Sequence, residues 1–136
     1  GYKYHMNNVN ATIGLVQLKS ISEVIEAHKA NGRFYDENLK NIPGLALCRW
    51  SADAYPSYWL YTLKVKNRED FIRKLSEAGI ASAPVIRRND EHPIFGGKKE
   101  LPGVADFMSE MVHIPSGWWV SADDREHIVS TIKAGW

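Results

Sequence analysis

Cysteine is nearly absent from this chain. Cys48 is the only one, so no internal disulfide can form, and a reducing, cytoplasmic setting is expected. No apolar run approaches the roughly 20 residues that a membrane helix needs, and no secretory leader pattern opens the sequence. Charge of either sign is in no excess: 17 Lys and Arg face 16 Asp and Glu, a formal net charge of +1. That balance gives no electrostatic reason to expect nucleic acid or an anionic membrane as a partner. Histidines are few, and His28, His113 and His127 lack the spacing of a metal site, so no metal is expected. No Ser/His/Asp or Cys/His arrangement offers a nucleophile, and no catalytic residue is assigned. Repeats and low-complexity segments are missing as well.

What is present is one domain's worth of ordinary globular sequence, residues 1–136, with 44% hydrophobic and 24% charged residues. Large aromatics are the exception. Five Trp and six Tyr exceed what a core of this size needs, which points to a contact surface.

The pattern along the chain predicts an α+β fold. Asn7 or Asn8 caps a helix carrying Val9, Ile13 and Val16, and Ser20-Ile-Ser-Glu23 has the form of a capping box that starts a second helix or a kink. The helical region spans about residues 8–41 and is stopped by Pro43-Gly44. Strand composition follows at 45–50 and 58–65, where Trp59, Tyr61, Leu63 and Val65 alternate onto one face. Asn67 caps a short helix closed by Gly79, and residues 81–87 read as a strand bent at Pro84. Pro93, Gly96-Gly97 and Pro102-Gly103 make 89–106 a long loop. Met111–Ile114 is a strand, and Ser121-Ala-Asp-Asp124 caps a last helix with Ile128, Val129 and Ile132 inward. The expected architecture is a long N-terminal helical region, then a small, mostly antiparallel sheet with helices on one face.

Two stretches concentrate polar chemistry. Lys3 and His5 stand in the aromatic and cationic lead-in to the first helix, where both would ordinarily be solvated terminal residues. Arg88-Asn-Asp-Glu-His92, with Arg87 before it, gathers cations, an amide, two acids and an imidazole after a strand end. Loops so placed often carry function, and guanidinium groups suit bidentate phosphate contact, although a surface loop with internal Asx turns uses the same residues.

The opening string Gly1-Tyr-Lys-Tyr-His-Met-Asn-Asn-Val-Asn-Ala-Thr-Ile-Gly-Leu-Val-Gln-Leu18 resembles the start of the C-terminal domain of the DegT/DnrJ/EryC1/StrS family of pyridoxal-phosphate (PLP) sugar aminotransferases. The resemblance continues in order through Ser57-Tyr-Trp-Leu-Tyr61, Asn67-Arg-Glu-Asp-Phe71, Arg88-Asn-Asp90 with His92, and Leu101-Pro-Gly103. It closes with Ile114-Pro115, Gly117-Trp-Trp119 and Asp123-Asp-Arg-Glu126.

The resemblance implies the small domain of a fold type I aminotransferase that moves an amino group, typically from glutamate, to a nucleotide-linked keto-sugar. It implies a dimer in which the segment before the long helix crosses to the neighbouring subunit and helps hold its PLP phosphate. Lys3 and His5 stand where relatives usually have Asn and Arg, so they become the cofactor-binding candidates. Arg87, Arg88, Asn89 and His92 become the candidates for the nucleotide-sugar. Many relatives carry a histidine near Ile86, which this chain lacks. The lysine and acid that hold PLP belong to the family's upstream large domain, and no lysine here lies in that lysine motif. A start at Gly1 rather than Met fits a truncated or processed chain. The expectation is a C-terminal portion, catalytically incomplete alone. The alternative is a stand-alone, non-catalytic α+β binding or regulatory module.

Overall fold

Helix signals at the N-terminus resolve into two helices, the second starting after Ser20. The computed structural model describes residues 2–136; Gly1, which opens the family-like string, lies outside them. Asn7 caps α1 (Asn8–Gln17), its Oδ1 accepting from the Asn10 N–H at 2.8 Å. A turn at residues 18–20 then separates α1 from α2 (Ile21–Asn38). The expected capping box at Ser20 does not form. Its hydroxyl donates back to the Gln17 carbonyl at 3.3 Å, and its backbone is near-helical where a cap needs an extended residue. None of the α1 residues is buried, and Val9, Ile13 and Val16 all face outward. α2 behaves differently: His28, Asn31, Gly32 and Tyr35 recur at helical spacing and are buried.

Three strands form an antiparallel sheet in the order β1 (Leu45–Leu47), β2 (Tyr61–Val65), β3 (Met111–Ile114). Leu45 pairs with Val65 and Leu47 with Leu63, while Tyr61 pairs with Ile114 and Leu63 with Val112. Directly paired residues share a face, so this register gathers the apolar side chains of β2 and its neighbours onto one side. There they meet Tyr35 and Leu39 from the α2 region, Phe71 and Leu75 of α3 (Arg68–Glu77), and Ile128, Val129 and Ile132 of α5 (Ala122–Lys133). This is the core, one sheet face covered by helices.

Several expected elements are shorter or different. The alternation of Tyr61, Leu63 and Val65 holds, but Trp59 lies before the strand and is 71% exposed. Residues 81–87 pair with the sheet only at Ala83, opposite His113. Pro84 has no N–H to extend that ladder. The expected loop 89–106 holds two single 3-10 turns and the start of α4 (Pro102–Glu110). Pro102 sits in the first turn of that helix, where a missing N–H costs nothing. α4 meets β2 through Lys64, whose ammonium contacts Asp106 at 2.9 Å and Glu110 at 3.3 Å. The capping box of α5 forms as expected: Ser121 Oγ accepts from the Asp124 N–H, and the Ser121 N–H donates to Asp124 Oδ2. Among the described residues no helix is long and apolar enough to cross a membrane.

Candidate functional site

The first candidate group lies on the segment leading into α1. Residues 2–6 carry no regular secondary structure and are exposed, Lys3 and His5 included. The rings of Tyr2 and Tyr4 are 6.0 Å apart, so these two side chains share a side. The segment leads into a helix whose apolar residues Val9, Ile13 and Val16 are exposed.

The second group is built more tightly. Arg87 is exposed and reaches Glu91 at 3.4 Å, and Lys98 reaches the same carboxylate at 3.7 Å. Asn89 and His92 are exposed. Arg88 is not: its side chain is 6% exposed and that of Asp90 11%. Arg88 Nε donates to Asp90 Oδ1 at 2.9 Å and Nη2 to Oδ2 at 2.6 Å, a bidentate fork. Nη2 also donates to the Lys99 carbonyl at 2.9 Å, and the Lys99 N–H donates to Asp90 Oδ2 at 2.8 Å. The Arg88 hydrogen bonds, then that of the Lys99 N–H, hold the Asp90 carboxyl well below the usual carboxylate range. A cleft of about 440 Å³ adjoins this knot, with Phe95, Leu101 and Val104 as apolar walls. Among the described residues no ion pair links this loop to Lys3 or His5.

A third cluster escaped sequence reasoning. The Tyr58 and Tyr61 hydroxyls donate to the two oxygens of Asp36, at 2.6 and 2.5 Å. Burial first, then the Asp36 carboxylate, pushes the Tyr58 phenol up to about 12 and that of Tyr61 higher still, so both remain donors. Tyr58 adopts a left-handed backbone, φ +50°, rare for a bulky residue. Its carbonyl accepts from Ser116 Oγ at 2.7 Å and from His28 Nδ1 at 3.1 Å, which puts a proton on that nitrogen. Its ring lies over Gly32, where any Cβ would collide with it. His28 meets Trp119 edge-on, and Trp50, Trp59, Trp118 and Trp119 stay exposed around this anchor. Only Ser57–Tyr61 carried a signal in the sequence. Asp36, 22 residues from Tyr58 along the chain, carried none.

A scan against family models matches residues 1–133 to the DegT/DnrJ/EryC1/StrS aminotransferase family. The chain belongs to that family. Its fold superposes on the crystal structure of the sugar aminotransferase CalS13 from Micromonospora echinospora with a TM-score of 0.93 and 42% identity, covering 100% of this chain and 37% of that one. AtS13 from Actinomadura melliaura gives a TM-score of 0.94 and 43% identity over the same shares. Among curated sequences, GDP-perosamine synthase of Escherichia coli O157:H7 is 24% identical across 98% of this chain and 37% of its own length. The chain thus spans a little over a third of the length of these relatives.

The DegT/DnrJ/EryC1/StrS family is one of PLP-dependent aminotransferases. Lys3 can offer an ammonium and His5 an N–H to a phosphate, on an exposed segment free to approach one. Among the described residues no cluster of three or more His, Cys, Asp or Glu could hold a metal ion.

Proposed function

We propose that this chain is the small domain of a PLP-dependent aminotransferase acting on nucleotide-linked keto-sugars. The family match across residues 1–133 carries the proposal, supported by 42% identity to the sugar aminotransferase CalS13. Relatives include GDP-perosamine synthase and dTDP-4-amino-4,6-dideoxy-D-glucose transaminase, each named for a nucleotide-linked sugar, which supports a substrate of that class. PLP, when bound, supplies the electron sink for moving an amino group between carbons.

The residues of this chain bind and orient. Lys3 and His5 reach the phosphate of a neighbouring subunit's PLP, Lys3 as a point charge and His5 through one N–H. The exposed apolar residues of α1 pack in the same assembly, a cytoplasmic homodimer. Arg87, Asn89 and His92 stand at the mouth where the nucleotide-sugar lies. Arg87 offers its guanidinium to the diphosphate and keeps Glu91 as a weak, exposed partner. Arg88 serves the same mouth indirectly, through Asp90. The Tyr58 anchor fixes the aromatic loop beside α2. Alone, residues 1–136 form no complete active centre.

The test is amino transfer by the protein at its natural full length. With glutamate, PLP and a panel of GDP- and dTDP-linked 4-keto-sugars, at least one should become an amino-sugar, and omitting PLP should abolish the product. No product from any of them, with the protein folded and PLP supplied, would sink the proposal and favour a non-catalytic module.

A further inference from the structure

We propose that Arg88 is a positioning residue rather than a ligand for the substrate. With Asp90 and the Lys99 backbone it ties the neck of a loop whose tip, His92–Lys98, it holds in place. The inference rests on the aminotransferase reading for the identity of the substrate, a nucleotide diphosphate-sugar, but not for the clamp itself.

The geometry points to a clamp for three reasons. First, four hydrogen bonds of 2.6–2.9 Å close a ring between residues 88–90 and residue 99. Two of them, Nη2 to the Lys99 carbonyl and the Lys99 N–H to Asp90, join the two ends of a stretch whose other order comes from two single 3-10 turns, Asn89–Glu91 and Pro93–Phe95, and a long Lys98–Glu91 ion pair. Second, the tip needs an external tie. Gly96 and Gly97 both have positive φ, and Ile94 and Phe95 are exposed, so little packing holds it. Third, the charges cancel. A guanidinium forked onto a carboxylate, both nearly buried, has no net charge, and with Nε and Nη2 already committed only Nη1 is left to donate. The loop's available cations are Arg87 and Lys98, both about two-thirds exposed and sharing Glu91 at longer range.

The two roles predict opposite effects of removing Asp90. If Arg88 met the diphosphate directly, Asp90→Ala would delete a competing negative charge and free the fork, leaving substrate KM unchanged or lower. If Arg88 is a clamp, the same change releases the neck. Arg88→Lys separates them further, because it keeps the positive charge and loses the fork.

The experiment uses the protein at its natural full length. Amide hydrogen exchange is followed at residues 91–99 without substrate, and kcat and KM are measured for the accepted nucleotide keto-sugar. In both Asp90→Ala and Arg88→Lys the Lys99 amide should exchange at least about tenfold faster, with core amides of β2 unchanged. KM should rise about five- to thirtyfold with kcat within about twofold, as expected when positioning of a bound group is lost. The charge-reversed pair, Arg88→Asp with Asp90→Arg, should recover part of the Lys99 protection. Unchanged exchange at Lys99, or a KM that stays unchanged or falls in Asp90→Ala, overturns the clamp. No turnover by the unmutated protein overturns the aminotransferase reading and the substrate half of this proposal, and exchange at Lys99 then decides the clamp alone.

Discussion

Gly32 shows how much one side chain's absence can determine. It lies within α2, where glycine costs helix stability relative to alanine, yet a Cβ there would strike the Tyr58 ring. Gly14 of α1 is the useful contrast, because nothing lies within 4 Å of a Cβ built on it. Gly32→Ala should push Tyr58 off Asp36 and cost about 1–3 kcal/mol, the range of overpacked sites. Gly14→Ala should stabilise by up to about 1 kcal/mol through helix propensity. Urea denaturation of both variants measures the difference, and equal effects would mean that Tyr58 is not anchored on Gly32. Of this anchor only the Ser57–Tyr61 string was readable beforehand. Asp36 carried no signal, because its partners lie 22 and 25 positions away. Arg88 was legible as a chemically charged position, but not as a buried one, because nothing in its neighbours' identities says that Asp90 and the Lys99 backbone converge on it.

At the scale of elements, the legible features were those set by local chemistry. The period-2 alternation of Tyr61, Leu63 and Val65 named the central strand, and its buried, half-buried, buried pattern follows it. Ser121 with Asp124 named the start of α5. Ser121→Ala should cost about 1 kcal/mol and lower the melting midpoint by a few degrees. A midpoint identical to that of the unmutated protein would show the cap to be idle. The Asp124 carboxyl is held below its ordinary value by the Ser121 side-chain and backbone hydrogen bonds. This part of the stability is therefore present above the normal carboxylate range and is lost as pH falls through the lowered value. Elements were misjudged where one local signal has two meanings. Pro102-Gly103 resembles a loop, but proline in a first turn also starts a helix, here α4. Ser20 has a capping sequence and spends its hydroxyl on the preceding turn instead.

For the whole molecule, the imbalance is between a well-covered core and an uncovered N-terminal arm. Tyr2, Tyr4, Met6, Val9, Ile13, Leu15, Val16, Leu18 and Ile21 are all exposed, a run of apolar residues that a monomer seldom leaves bare. Residues 1–136 expressed alone should therefore sediment as a dimer or larger species at micromolar concentration. A clean monomer would contradict the assembly role assigned to α1. Dialysed against PLP-free buffer after incubation with PLP, the same chain should keep no stoichiometric visible chromophore. A single lysine labelled by PLP after borohydride reduction would contradict its catalytic incompleteness.

The central claim is that this chain lends a phosphate contact to a PLP enzyme, and Lys3 is where it can fail. An ammonium beside a phosphate in a partly dry site is a charge-assisted contact, and its loss should weaken cofactor retention about 10- to 100-fold. The measurement is the PLP dissociation constant of the natural full-length protein and of its Lys3→Ala variant, with Lys98→Ala as the control on the loop. The account predicts a constant raised by that factor for Lys3→Ala and unchanged for Lys98→Ala; equal constants for Lys3→Ala and the unmutated protein would contradict it.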